Sequence, residues 1–181
     1  MSEQLEFLRL LAERLESLNV PYMLTGSLAM ALYATPRMTR DIDIVIDMQG
    51  PQVDELIAEF EGDCYISAEA VQEAVRRRGM FNVIHNELLT KGDFVVKKTG
   101  VFWEGEFARR RRVEIEDFHV FVVAPEDLIL NKLLWAKAAD SSLQLRDVKQ
   151  IVHDMNDLDM EYIRQWAGRL SVEKQLEDAL S

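Results

Sequence analysis

Residues 41–46 read Asp-Ile-Asp-Ile-Val-Ile, and a period of two allows this segment one regular conformation. In an extended strand Ile42, Ile44 and Ile46 fall on one side, while Asp41 and Asp43 project together from the other. The β-branched residues favour that conformation. The isoleucine side needs a covering layer of structure, and the opposite side must carry two carboxylates no more than about 7 Å apart. Such a pair repels unless a cation lies between, and hard oxygen donors suit Mg²⁺ or Mn²⁺. A solvated acidic strand end has the same spacing.

Upstream, Tyr22 to Thr25 reads as a short strand, Gly26-Ser27 as a tight turn, and Leu28 to Tyr33 as a buried helix, with Pro36 breaking the pattern. Glycine lets an anion approach the backbone, free N–H groups at a helix start attract it, and the Ser27 hydroxyl can donate to a phosphate oxygen. A turn glycine followed by an ordinary capping serine looks the same. If both readings hold, an anion site faces a cation site.

The rest of the chain sets the frame. Leu5, Leu8, Leu11, Leu15 and Leu18 recur at helical spacing, which predicts an amphipathic helix over 3–18 and argues against a secretion leader. Helices are predicted over 52–61 and 67–78, and strands at Met80–His85, Phe94–Lys97, Arg112–Glu116 and His119–Val123. A helix from Pro125 to about Ala139 begins with proline and two acidic residues, and further helices are expected over 143–155 and 160–180. With no repeat or linker, the outline is an α/β core over residues 1–124 followed by a helical part over 125–181 packed on it.

Of 181 residues, 21 are basic and 32 acidic, a net charge of −11. That balance excludes a protein that coats nucleic acid through bulk positive charge. The lone Cys64 forms no internal disulfide, no apolar run reaches membrane-spanning length, and the expectation is a cytoplasmic chain. One basic island stands out: residues 91–112 hold Lys91, Lys97, Lys98 and Arg109 to Arg112 against three acids, and it is a candidate contact for phosphate or RNA. Arg37 and Arg40, just before Asp41, are placed to reach a phosphate as well, and Arg40 alternatively to orient Asp41. Trp135 and Trp166 read as core residues on apolar helix faces, and His85 as a hydrogen-bonded structural histidine. Gly100 and Gly105 have P-loop spacing, but Glu106 stands where the lysine belongs.

Gly26-Ser27, thirteen residues, then Asp41-Ile42-Asp43 on a strand resembles the signature of the nucleotidyltransferase superfamily typified by DNA polymerase β. The wording of Arg37 to Asp43 and of Pro125 to Leu133 is similar to a small bacterial branch that includes abortive-infection type toxin transferases. The resemblance covers roughly residues 20 to 150. It implies a mixed β-sheet flanked by helices, an α/β nucleotidyltransferase fold with a helical C-terminal part.

The resemblance also implies a third carboxylate from a later strand. Lys91-Gly92-Asp93 matches that branch's Lys-x-Asp, which assigns Asp93, with Glu114 and Glu116 as rivals; Gly92 is a departure, because glycine weakens a strand interior. Asp41, Asp43 and Asp93 would then hold two Mg²⁺ or Mn²⁺ ions. Gly26, Ser27, Arg37, Arg40, Lys91 and Lys132 would bind the nucleotide, with Asp147 orienting Lys132 or forming an interhelical ion pair with it. The implied activity is metal-dependent transfer of a nucleoside monophosphate from an NTP to a hydroxyl of RNA, protein or a small molecule, with release of pyrophosphate. The alternative is a catalytically silent nucleotide- or protein-binding module of the same fold, for example one half of a toxin–antitoxin type pair.

Overall fold

The computed structural model describes residues 2–35 and 37–181; Pro36, the expected helix breaker, lies outside the described residues. The chain opens with α1 (Glu3–Ser17), capped by the Ser2 hydroxyl, which accepts from the Leu5 N–H. It continues through β1 (Tyr22–Thr25), α2 (Gly26–Met30), β2 (Ile42–Ile46), α3 (Val53–Phe60), β3 (Cys64–Ile66), α4 (Ala68–Arg77), β4 (Met80–His85) and β5 (Lys91–Val96). Then come α5 (Val101–Ala108), β6 (Arg111–Ile115), β7 (Phe118–Val122), α6 (Pro125–Ala139), α7 (Ser142–Asp154), α8 (Met160–Leu170) and α9 (Glu173–Leu180).

The seven strands form one mixed sheet in the order β3-β4-β5-β2-β1-β7-β6. The two central strands, β1 and β2, run antiparallel; β2 pairs parallel with β5 and β1 parallel with β7. One face of the centre is apolar. Ile42, Ile44 and Ile46 lie beside Gly92, Phe94 and Val96, all buried, as the period-two pattern requires. Gly92 belongs there for a packing reason: a Cβ on it would sit 3.2 Å from Leu11 Cδ1 and 3.7 Å from Phe7 Cε1, so the glycine lets α1 lie close against the sheet. Phe60 of α3 packs edge-on against Phe94 on the same side.

The differences from the sequence reading have local causes. The helix expected at Leu28–Tyr33 is instead the five-residue α2, which starts directly at Gly26. The single helix expected over 160–180 is broken at Ser171, which adopts a left-handed conformation (φ 57°) and ends α8 before α9 begins. β5 begins three residues earlier than expected, which brings Lys91 and Asp93 into the sheet. Trp135 is not a core residue; it is 64% exposed on the outer side of α6. Trp166 does pack inward, against Phe102 and Tyr162. His85 is buried, and its Nδ1 accepts from the backbone N–H groups of Glu87 and Leu88 at 3.3 and 3.1 Å.

No helix among the described residues is long and apolar enough to cross a membrane. α6 is the hub of the C-terminal helices: α7, α8 and α9 pack against it, and α2 meets it from the sheet side.

Candidate active site

Strand register assembles the acidic side of the site. Thr25 of β1 pairs with Asp43 of β2, Asp43 with Asp93 of β5, and Asp93 with Asn82 of β4. Paired residues point to the same face, so these four side chains form one row across the sheet, on the face opposite Ile42 and Gly92. Asp41 precedes β2 by one residue and projects to the same side. Asn82 donates its side-chain amide to Asp93 Oδ1. Glu114, the rival third carboxylate, lies on β6 at the sheet edge, separated from β2 by β1 and β7, and Glu116 lies in the turn after it.

Gly26 is the hinge between β1 and α2. Its φ is +68°, and a Cβ built on it would fall on the Asp43 carboxylate, 2.7 Å from Cγ and 2.9 Å from Cβ as well as against Oδ2. Only glycine meets both demands. Burial raises the Asp43 pKa above the ordinary carboxylate range, and the negative charges of Asp93 and Asp41 push it further in the same direction. Asp43 therefore senses both neighbouring carboxylates. Lys91, two residues before Asp93 on the same strand face, places its ammonium 3.0 Å from Asp93 Oδ2 and 3.5 Å from Asp41 Oδ1. The bond to Asp93 is the main cause of a raised Lys91 pKa.

A basic group stands beside this row. Arg37 donates to the hydroxyl of buried Ser27 and reaches Asp147 Oδ2 at 3.2 Å. Asp147 in turn holds the Lys132 ammonium at 2.6 Å, and Gln144, one helical turn earlier on α7, accepts from the same ammonium at 3.3 Å. Lys132 and Asp147 are each 4% exposed. Burial lowers the Lys132 pKa, an effect opposed first by Asp147; the Lys132 charge also reaches Asp43, whose pKa it lowers. Because Ser27 Oγ accepts from Arg37, its own O–H proton is free to point elsewhere. The structure thus brings together Gly26, Ser27, Arg37, Asp41, Asp43, Lys91, Asp93 and Lys132. Arg40 is exposed, and its side chain makes no hydrogen bond or ion pair among the described residues.

The arginine island does not join them. Arg109 binds Asp127 at 3.0 Å and Glu126 at 3.2 Å and stacks over Tyr162. Arg110 lies over Phe107 and Phe121, and Arg111 faces Glu126 at 3.9 Å. Lys97 is held between Asp47 and Glu104. These cations are engaged within the fold, the three arginines around β6 and α6 and Lys97 at the end of β5.

Among the described residues no group of three or more His, Cys, Asp or Glu side chains is poised as a ready metal cage. In the carboxylate row, the Lys91 ammonium is the cation between Asp41 and Asp93. The donors nevertheless have the chemistry of a hard-cation site: three carboxylates on one face, one of them seated in a cradle that only Gly26 leaves open. Asn82 and Gln144 were not anticipated from the sequence. Asn82 becomes visible only through the β4–β5 register, and Gln144 only through its helical spacing from Asp147.

Comparisons with known proteins bear on the family and the fold. A family profile described as "Nucleotidyltransferase of unknown function (DUF6036)" matches residues 2–177. No curated protein matches the chain. Among solved structures, the chain is similar to an antigenic nucleotidyltransferase-like protein from Paracoccidioides brasiliensis, at 17% identity over 99% of this chain and 93% of that one, with a TM-score of 0.59. It is also similar to ANT(2")-Ia in complex with adenylyl-2"-tobramycin (16% identity, 93% and 96% covered, TM-score 0.59). A third is the lincosamide antibiotic adenylyltransferase LnuA, lincomycin-bound (14% identity, 86% and 98% covered, TM-score 0.56). At these identities the likeness is one of fold.

Proposed function

The chain belongs to the DUF6036 family of nucleotidyltransferases, and on that premise we propose that it transfers a nucleoside monophosphate from an NTP to a hydroxyl acceptor with the help of divalent metal. The observation that carries this reading is the Thr25–Asp43–Asp93–Asn82 row, flanked by Asp41 and faced by the Ser27–Arg37–Asp147–Lys132 network. Acidic and basic halves meet at Gly26. In this reading residues 1–124 are the catalytic core, and residues 125–181 are the helical part that supplies Lys132 and Asp147.

Asp41, Asp43 and Asp93 would hold Mg²⁺ or Mn²⁺, which when bound supplies Lewis-acid polarisation and eases deprotonation of an attacking hydroxyl. The chain's own residues do the positioning. Gly26 lets a phosphate approach the backbone without a Cβ in the way, and the free Ser27 proton donates to a phosphate oxygen. Arg37 and Lys132 place two fixed positive charges beside the anion; Asp147 keeps both from drifting, so little reorganisation is needed when charge builds on the leaving pyrophosphate. Asn82 fixes the Asp93 carboxylate through its amide. Arg40, exposed beside Asp41, is free to meet the triphosphate.

For the acceptor we infer a hydroxyl of a small molecule or protein. Two of the similar structures are described by antibiotic adenylylation, and two of the four arginines that would have favoured RNA, Arg109 and Arg110, are occupied within the fold. The Lys91-Gly92-Asp93 and Pro125 to Leu133 segments support kinship with the abortive-infection type toxin transferases. The test is thermal shift with each NTP, with and without Mg²⁺. A catalytic site is stabilised by nucleotide only with metal, by an amount set by ligand concentration over Kd, and Asp43→Asn abolishes the shift. A silent module of the same fold shows no metal dependence.

A further inference from the structure

The two lysines of the site are held in opposite ways. Lys132 is 4% exposed and locked by Asp147 at 2.6 Å and by Gln144. Lys91 has a side chain 37% exposed, and its partners are two of the three carboxylates of the row. A lysine carries a compact charge on a flexible four-carbon stem, so a half-exposed one can exchange partners without moving backbone. β5 fixes where the stem starts: Lys91 pairs with Ile84 of β4 and stands two residues from Asp93, on the same face. Its ammonium can therefore neutralise Asp41 and Asp93 together, in the place where a divalent ion bound by those carboxylates would also have to act.

We propose that Lys91 is the resident counter-cation of the carboxylate row, that a divalent metal must displace it to bind Asp41 and Asp93, and that the displaced ammonium then pairs with the incoming triphosphate. The inference rests on the function proposed above. It makes one side chain the link between the two binding events. Without metal, the ammonium is tied to carboxylate and contributes little to phosphate; with metal, the same charge is handed to the anion. By linkage the coupling is reciprocal, so bound triphosphate keeps the ammonium away from the carboxylates and tightens metal binding in turn. Arg37 and Lys132, both tied to Asp147, offer the triphosphate a constant field that metal does not alter.

The test is isothermal titration of the full chain with Mn²⁺ alone, then with inorganic tripolyphosphate at saturating Mg²⁺, for wild type, Lys91→Ala, Lys91→Gln and Lys91→Arg. Lys91→Ala and Lys91→Gln should bind Mn²⁺ about tenfold more tightly than wild type, because the competing charge is gone, and tripolyphosphate more weakly. Lys91→Arg should stay close to wild type in both. A folding defect weakens both ligands together, so the opposite signs distinguish the role from damage. If Lys91→Ala and Lys91→Gln bind Mn²⁺ no more tightly than wild type, the inference is overturned while the proposed function stands. If wild type binds neither ligand, the proposed function fails and this inference with it.

Discussion

The Asp43 carboxylate occupies the space that any side chain on Gly26 would need, and Gly26 holds a φ of +68° at the β1–α2 junction. Turn and strand are thus one device: the glycine that opens the anion side also seats the central carboxylate. Gly26→Ala combines a clash with backbone strain. It should destabilise the protein by about 1–3 kcal/mol and cut transfer by more than about a hundredfold, since a displacement near 1 Å is that costly in a preorganised site. Chemical denaturation beside a transfer assay separates the two effects; activity that survives in step with the folded fraction would contradict this role.

Asp43→Asn should do the reverse to stability. The Asp43 pKa is raised in the fold, first by burial and then by Asp93 and Asp41. A carboxylate with a raised folded pKa weakens the fold once pH rises above its unfolded value, and the full penalty is present above its folded value. At neutral pH the amide removes that penalty. The variant should melt higher than wild type at neutral pH while losing metal-dependent nucleotide binding.

The Arg37–Asp147–Lys132 chain predicts unequal costs. Asp147→Ala strands the buried Lys132 charge and should cost about 3–5 kcal/mol. Arg37→Ala removes a guanidinium whose side chain is 34% exposed and should cost under about 1 kcal/mol. Both should impair transfer. Equal stability losses in urea titrations would mean that Lys132 finds another partner.

Glu106 should give the fold a pH dependence. It is 3% exposed on α5, accepts from the Asn131 amide, and burial raises its pKa to about 8. The native state then binds a proton that the unfolded chain releases near the ordinary value of 4.5, so stability declines as pH rises from there and levels off above about 8. Glu106→Gln should flatten that decline and stabilise the protein at pH 9 by on the order of 2–4 kcal/mol. Melting curves from pH 5 to 9 check it.

Much of this was legible in the sequence because strand and turn chemistry is local. The alternation of residues 41–46 and the glycine at 26 announced the core strand, its two faces and the tight turn. What the sequence withheld depended on partners distant along the chain. Asn82 acquires meaning only when β4 pairs with β5, and that Asp93 stands beside Asp43 while Glu114 lies at the sheet edge follows from sheet order. β3 is three residues long, too short for a period, and α5 follows Gly100, which offers no side-chain cap, and carries Gly105 inside it. Four consecutive arginines looked like a surface for polyanions; Glu126, Asp127, Tyr162 and Phe121, distant along the chain, together with the nearby Phe107 engage Arg109 and Arg110, while Arg111 stays half exposed beside Glu126.

The most direct measurement is transfer of label from α-³²P-labelled ATP, GTP, CTP and UTP with Mg²⁺ into the small molecules, protein and RNA of a bacterial lysate, beside an Asp41→Ala/Asp43→Ala double variant. The proposed function predicts label in an acceptor fraction with wild type alone, in small molecules or protein. Equal labelling by the double variant, or none from any NTP in any fraction, would contradict it.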